Sequence, residues 1–441
     1  MNRRIRADGL PKLRSLRDVG ILAVTQYGQF LVTLVSVPFM ARTLGATGLG
    51  HAAAATAAYF LGGVIVDFGL SFPLAARLVG RGDSGSVLRV RYTRLRTMTF
   101  AVLVGLAVAV HMAPTPYTIR IAALGLCAGG ASALHDSWIL MARGQFWRFA
   151  FAEWSGRLVY CAVLVAGITE LPTPNWVPLS LGAGALTTAA TSRLLVRWRT
   201  RRHDTDQPSA GTRELVALGL PALLGRLLST SYSQAAPLFY ASLLSAGSVG
   251  LFSASDRVIR AAQALSYPAA VAIFPRLSTE QSDIAVLAAK AKRYAVLSAA
   301  LASVGSVLLV ALAPGVVELL YGSGYAPSVN VLRVQSLLLP FAVGSTMLVT
   351  NFFNIVGDTR ATFLTTTGGL VVTLSSLVIA HASASLYALA FGSVLAEAVV
   401  FALSWRRVTA TVPTRSARGD QRRDAPDEQR WFSHAVDSEL T

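Results

Sequence analysis

Two apolar runs near the amino terminus, VGILAVTQYGQFLVTLVSVPFMA (19–41) and LGHAAAATAAYFLGGVIVDFGLSF (49–72), decide the fold class. Each has the roughly 20 residues that an α-helix needs to cross a bilayer. The turn between them, RTLGATG (42–48), holds one basic residue, whereas basic residues are dense before the first run and after the second. We interpret this segment as a helical hairpin that crosses a membrane twice, with both ends on one side.

The composition of the whole chain agrees with this interpretation. Of the 441 residues, 53% are hydrophobic and only 14% are charged, and the mean hydropathy is +0.53. A soluble domain averages about 25% charged residues, so the chain has too little polar surface to cover a globule in water. Lipid requires an apolar exterior and helices that satisfy their own backbone. The composition favours an all-α integral membrane protein.

We predict twelve transmembrane helices, which we number as spans 1 to 12. Helices of this length leave only short connections and two longer tails. The predicted bounds are 19–41, 49–72, 97–113, 117–140, 149–169, 176–196, 214–244, 248–274, 294–313, 328–355, 361–381 and 384–405.

The basic residues fix the orientation of these spans. Of the 39 lysines and arginines, 31 lie in the two tails and in the even-numbered gaps, whereas Arg42 alone lies in an odd-numbered gap. Because loops rich in lysine and arginine stay in the cytoplasm, both termini are predicted to be cytoplasmic, in a multi-pass membrane protein. The same distribution explains the net charge of +17 without a nucleic-acid partner.

The spans divide into two halves. We predict a cytoplasmic tail (1–18), an N-lobe (19–198), a polar cytoplasmic linker (199–213), a C-lobe (214–405) and a disordered tail (406–441). The stretch LGATGLG (44–50) resembles LSAGSVG (244–250), at an offset of about 200 residues. Six spans in each half keep the halves in one orientation, which indicates parallel repeats about an axis along the membrane normal.

Charged residues inside the spans are the candidate functional groups, because a lone charge at mid-bilayer costs at least about 2.5–3.5 kcal/mol. Four arginines of the second half have few partners in sequence, and guanidinium groups bind phosphate bidentately. We predict an anion-binding set of Arg226, Arg257, Arg260 and Arg333, with internal salt bridges and interfacial placement as the alternatives. The candidate coupling or gating residues are Asp67, Asp136, Asp256, Glu397 and Arg42.

Two charge pairs have a structural interpretation as well. Glu153 and Arg157, and likewise Asp256 and Arg260, are four residues apart, so each pair can close on one face of a helix.

Motifs of soluble chemistry are absent from the sequence. There is no phosphate-binding Gly-x-x-x-x-Gly-Lys-Ser/Thr loop, no His-Glu-x-x-His and no Cys-x-x-Cys. We therefore predict no cofactor, no metal site and no catalytic residue. Uphill transport would draw on an ion gradient, the membrane potential or removal of product.

Several short motifs occur in a familiar order. They are RTLGATGLG (42–50), VDFGLS (66–71), VGLFSASD (249–256), IFPRLS (273–278), LYGSGYA (320–326) with the following Leu332-Arg333, and NFFNIVGDTR (351–360). In this order they resemble the polysaccharide-biosynthesis and oligosaccharide flippases of the multidrug/oligosaccharidyl-lipid/polysaccharide exporter superfamily. The chain departs from the family pattern at Leu49, where tyrosine is usual, and at Asp256 and Arg257.

This resemblance implies two six-helix lobes around a central cationic cavity, as in multidrug exporters of the superfamily, that opens alternately to each face of the membrane. It implies that the substrate is an undecaprenyl-pyrophosphate-linked oligosaccharide. The protein would move it from the cytoplasmic to the periplasmic leaflet of the bacterial inner membrane, for the synthesis of O-antigen, capsule or exopolysaccharide. Implied partners are membrane lipid, a polysaccharide polymerase and a chain-length regulator.

Two other functions remain open. A cation-coupled exporter of drugs or metabolites from the same superfamily would use Asp67, Asp136 and Glu397 as buried ligands. A membrane glycan polymerase or ligase is the minor alternative, because the loops opposite the cytoplasm are short and hold one basic residue.

Overall fold

The computed structural model describes residues 10–71, 73–75, 85–196, 212–266, 270, 273–274, 277 and 283–411, and every regular element within these ranges is helical. Most of the elements are α-helices, with one 3₁₀ and one π segment near the start and the end of span 10. The helices are Leu10–Asp67, Gly85–Met112, Tyr117–Ser132, Ser137–Ala142, Phe146–Glu170, Trp176–Leu195, Thr212–Ser233, Ala236–Leu243, Ala246–Ala264, Ile284–Tyr321, Ser323–Tyr325 (3₁₀), Ser328–Ser336, Leu339–Leu348, Val349–Phe353 (π), Asn354–Val356, Thr359–Ser383 and Leu386–Thr411.

The described helices confirm an all-α membrane fold. Nine of them are long and apolar enough to cross a bilayer, and one of these, Gly20–Asp67, has 48 residues and holds both span 1 and span 2. Their outer faces are apolar: Leu301 is 75% and Leu312 60% exposed along span 9. The helices Trp176–Leu195 and Ala246–Ala264 lie at spans 6 and 8 but are not among those nine. The count of twelve stays a prediction.

The breaks between helical segments have local causes. Gly45 has φ 67° and ψ −177° and separates spans 1 and 2, because glycine tolerates positive φ at no steric cost. Span 7 breaks after Ser233 and resumes at Ala236, with Pro237 in its first turn. Proline is suited to that position because its missing N–H has no partner there.

Within each lobe, neighbouring spans pack closely. Span 2 lies on span 4, span 5 on span 6, span 9 on span 10 and span 11 on span 12. Small residues bring spans 2 and 4 together: a β-carbon at Gly125 would overlap the carbonyl oxygen of Ala55, and one at Gly129 that of Tyr59. In a membrane, such small-residue seams let backbones approach and supply the packing that hydrophobic burial cannot.

The lobes meet along spans 2 and 8 with local two-fold character. A β-carbon at Gly50 would overlap the carbonyl oxygen of Ala246, and one at Gly250 would overlap that of Ala46. These are the positions that the sequence repeat aligns. A shared core of Met40, Leu49, Ala254, Tyr321 and other residues continues this contact. We call this the arginine-poor end, since it carries the odd-numbered gaps.

Some predictions concern residues that the structure does not describe. Most of the predicted linker, the tail from residue 412 and part of the IFPRLS motif lie outside the described residues. The predicted domain bounds stay predictions.

Candidate functional site

Three connected cavities lie inside the bundle. The N-lobe cavity, about 270 Å³, is lined by spans 1, 2, 4, 5, 6 and 8. The C-lobe cavity, about 380 Å³, is lined by spans 7, 8, 10, 11 and 12. The interlobe cavity, about 410 Å³, lies mainly between span 1 and span 8. It shares Arg257 with the N-lobe cavity and Arg260 with the C-lobe cavity.

Arg257 and Arg260 are the charged residues that line the interlobe cavity in the described part of the chain. Both lie on span 8, three residues apart, so they face nearly the same side of the helix. The Nε of Arg260 donates to Oδ2 of Asp256 at 2.6 Å. The cavity is completed by amide side chains, Gln29 and Gln263 among them. Such a lining offers hydrogen-bond donors and positive charge to an anion.

The N-lobe cavity adds further polar groups from span 5 and span 4. Arg157 lies 4.0 Å from Glu153 and donates to the carbonyl oxygen of Thr25 at 2.6 Å. Both residues line the cavity with His135 and Arg257. The sequence interpretation of Glu153 and Arg157 as a pair four residues apart is correct. It did not predict that the pair borders a cavity, because only the packed neighbours decide that.

The C-lobe cavity has the opposite character. Asp256 and Glu397 line it together with Arg260 and the tyrosines Tyr232 and Tyr240. The described lining therefore contains two carboxylates and one guanidinium group, and that guanidinium group forms an ion pair with Asp256.

At the arginine-poor end, Arg42 connects the lobes. Its Nε donates to the carbonyl oxygen of Leu320 at 3.1 Å and its Nη2 to that of Leu319 at 2.5 Å. The hydroxyl of Tyr325 donates to the carbonyl oxygen of Ala41 at 3.3 Å, again from one lobe to the other. Since these carbonyl groups end span 9, the contacts hold this end of the bundle shut.

At the opposite, arginine-rich end, Asp67 of span 2 connects to span 7. Its Oδ2 accepts from Nη1 of Arg226 at 2.9 Å. Its Oδ1 accepts from the hydroxyl of Tyr92 at 2.7 Å and from that of Ser71. Beside this contact, a β-carbon at Gly69 would crowd the backbone of Ala222. We call the Asp67–Arg226 contact the latch.

Asp136 has a different environment. It is buried and accepts from Nη2 of Arg89 at 2.5 Å and from Nη2 of Arg96 at 3.3 Å. Arg96 also donates to the carbonyl oxygens of Ala133 and His135. Both partners are arginines of the second gap and lie on the helix Gly85–Met112, which continues as span 3. They join span 3 to span 4 within the N-lobe.

The structure does not bring the four predicted arginines together. Arg257 and Arg260 line the interlobe cavity, whereas Arg226 lies in the latch. Arg333 is exposed and donates to the side-chain oxygen of Asn330 at 3.2 Å; in the described part of the chain it lines none of the three cavities. Arg333 lies near the start of span 10, and which side of that helix it occupies depends on the rotation of the helix, which the sequence spacing across different helices does not reveal.

The fold and the cavities define a multi-pass helical membrane protein with a polar interior between its helices. A family model described as polysaccharide biosynthesis protein matches residues 15–281. The match spans more than half of the chain, which therefore belongs to this family. The predicted resemblance is confirmed. A search of the curated proteins finds no match.

Solved structures share the fold. One, described as "Lipid II flippase MurJ, inward closed conformation", is similar with a TM-score of 0.70 at 12% identity over 88% of this chain and 87% of that chain. An inward-facing multidrug resistance MATE family transporter of the MOP superfamily gives a TM-score of 0.63 at 15% identity over 86% and 94%. An outward-facing conformation of such a transporter gives 0.55 at 16% identity over 92% and 96%.

Proposed function

We propose that the protein is a flippase for an undecaprenyl-pyrophosphate-linked oligosaccharide, moved from the cytoplasmic to the periplasmic leaflet for surface polysaccharide synthesis. The observation that carries this proposal is the interlobe cavity, whose charged lining residues in the described part of the chain are Arg257 and Arg260. A pyrophosphate is a compact anion with many acceptor oxygens. Guanidinium groups keep their charge in a low-dielectric site and bind such oxygens bidentately.

The position of the cavity suits a lipid-linked substrate. Spans 1 and 8 border it, and both present exposed apolar side chains there: Leu34, which lines the cavity, is 48% exposed, and Leu265, next to the lining residues of span 8, is 78% exposed. A polyprenyl chain can then remain in the bilayer beside these helices while its pyrophosphate enters between the lobes. Burying the long apolar tail inside the protein is unnecessary, since lipid already solvates it.

Alternating access follows from the contacts at the two ends. The arginine-poor end, which the charge pattern assigns to the periplasm, is held by the glycine contacts and by Arg42. The cytoplasmic end is joined by the latch, an ion pair in which the Arg226 side chain is 41% exposed. Solvent reaches the arginine and screens the pair, and Asp67 keeps its hydrogen bonds from Tyr92 and Ser71 of the N-lobe when the arginine leaves. The lobes can therefore part there to admit substrate.

The test removes the two cavity charges. In a bacterium that depends on this protein for surface polysaccharide, Arg257→Gln with Arg260→Gln should abolish the polymer while the membrane level of the protein is unchanged. Arg333→Gln is the matched control, because it removes an exposed arginine outside the cavities. Full polymer in the double variant would refute the site. Flipping of a fluorescent lipid-linked oligosaccharide in proteoliposomes measures the same effect directly.

A cation-coupled exporter is the second candidate, favoured by the carboxylates of the C-lobe cavity, Asp256 and Glu397. It predicts drug efflux that fails in Glu397→Gln and persists in the double arginine variant. The proposed flippase, by contrast, should lose its activity in the double arginine variant.

A further inference from the structure

The C-lobe cavity is lined by hydroxyl groups to an unusual extent: about half of its lining residues are serine, threonine or tyrosine. Many of these hydroxyls donate their proton to a carbonyl oxygen of their own helix. Thr346 donates to Ala342 and Thr366 to Thr362, both at 2.8 Å. A hydroxyl whose proton is used in this way offers only its lone pairs to a ligand. The cavity wall is therefore rich in acceptors.

The charged groups strengthen this character. Asp256 and Glu397 are carboxylates, which accept and do not donate when ionised. Arg260 is the guanidinium group among the described lining residues, and its Nε donates to Asp256 at 2.6 Å. The buried Tyr232 hydroxyl lies beside Glu397. A ligand that fits must bring donors and no negative charge.

A sugar with free hydroxyl groups has those properties. Each hydroxyl donates one hydrogen bond, and carboxylates pair well with neighbouring hydroxyls. Phosphate has acceptors in excess and would meet acceptors here. The volume of about 380 Å³ falls within the roughly 300–1,000 Å³ of small-molecule sites.

The C-lobe cavity is also placed to receive a glycan. It shares Arg260, Gln263 and Thr346 with the interlobe cavity. A headgroup with its pyrophosphate at Arg257 and Arg260 can therefore extend directly into it. The N-lobe cavity is smaller, about 270 Å³, and Arg157 and Arg257 give it donors and positive charge, which suit an anion.

We infer that the C-lobe cavity is the glycan subsite of the lipid-linked substrate, and that its carboxylates select neutral sugars and exclude uronic acids. This inference rests on the proposed function and adds to it the class of sugar. Asp256 and Glu397 hold neutral hydroxyls by charge-assisted hydrogen bonds, and they repel a sugar carboxylate placed against them.

The experiment measures equilibrium binding to full-length protein in nanodiscs. Three probes share one polyprenyl pyrophosphate: the first has no sugar, the second has a neutral disaccharide, and the third has the same disaccharide with a terminal hexuronic acid. Wild-type protein should bind the neutral probe about tenfold more tightly than the sugar-free one, the size expected of one good charge-assisted contact. The uronic acid probe should bind no better than the sugar-free one.

Glu397→Gln and Tyr232→Phe test the subsite with little change of shape. Each variant should bind the neutral probe several-fold more weakly than wild type and bind the sugar-free probe with unchanged affinity. Glu397→Gln should also bind the uronic acid probe more tightly than wild type does. Glu318→Gln is the matched control, since Glu318 is exposed near the end of span 9.

Two results overturn the inference, and they are distinguishable. If the sugar-free probe binds and both variants keep the wild-type preference for the neutral glycan, the glycan lies elsewhere while the proposed function stands. If wild-type protein binds none of the three probes, the proposed function fails together with the subsite.

Discussion

The N-lobe cavity and the C-lobe cavity occupy corresponding halves of one bundle, yet their linings differ in charge. Two arginines, Arg157 and Arg257, face one carboxylate, Glu153, in the first. Two carboxylates, Asp256 and Glu397, face one arginine, Arg260, in the second. At the arginine-poor end, by contrast, the halves are nearly equivalent, with Gly50 and Gly250 in matching contacts.

This comparison separates what the repeat conserves from what it leaves free. Backbone contacts at Gly50 and Gly250 tolerate no side chain, so both halves need glycine there. The cavity linings have no such packing constraint and can take opposite charges. A substrate with an anionic and a neutral part would then be held in one orientation, with the anion near span 8 and the N-lobe.

The largest expected effect comes from erasing the charge difference. Arg257→Glu gives the N-lobe cavity the same net lining charge as the C-lobe cavity and places a carboxylate against the pyrophosphate. We expect flipping in proteoliposomes to fall by more than about 100-fold, since like charges in contact cost several kcal/mol. Arg333→Glu reverses an exposed charge and should stay within about twofold of wild type. Equal losses of flipping activity in both variants would contradict the assignment of the cavity around Arg257 as the pyrophosphate site.

A second prediction sharpens the equivalence of the two halves. Gly50→Ala and Gly250→Ala should each destabilise the closed arginine-poor end by about 1–3 kcal/mol, the usual cost of overpacking. The two variants should lower the Tm in detergent by similar amounts, because their contacts match.

The control for this pair is Gly305→Ala in span 9, where a β-carbon meets no atom within 4 Å. It should be neutral or stabilising by up to about 1 kcal/mol, because alanine favours a helix over glycine. Markedly unequal effects of Gly50→Ala and Gly250→Ala would disprove the local two-fold character.

The smallest expected effect concerns the latch, an interlobe ion pair, whereas Arg42 at the other end joins the lobes through backbone carbonyl oxygens. Asp67→Asn should raise the fraction of molecules open at the arginine-rich end about threefold, because it removes the charge attraction to Arg226, whose 41% exposed side chain leaves the pair partly screened. A cysteine at position 229, in a variant without Cys127 and Cys161, should react faster with a membrane-impermeant thiol reagent added at that end.

The double variant Asp67→Asn with Arg226→Gln supplies the control. If the latch is one contact, it should open the protein no further than either single change. Additive effects would indicate that the two side chains act separately.

The sequence predicted part of the site. Arg257 and Arg260 could be predicted because a charge inside a span must meet another charge, a ligand or water. Arg333 met the same criterion, but it is exposed and donates to Asn330 instead. The criterion measures position along a helix, whereas lining a cavity depends on rotation about the helix axis. His135 and Tyr232 carry no sequence signal of their own, and only the packed helices place them at cavities.

The sequence by itself determined that the chain is an all-α membrane protein, because the bilayer acts on each segment separately through its length, hydropathy and flanking charge. Only the tertiary structure decided which charges meet. Asp67 and Arg226 are 159 residues apart, and no local rule pairs them. Helix rotation and close backbone packing placed Asp67 against Arg226 and left Arg257 facing a cavity, since those choices depend on every neighbouring helix at once.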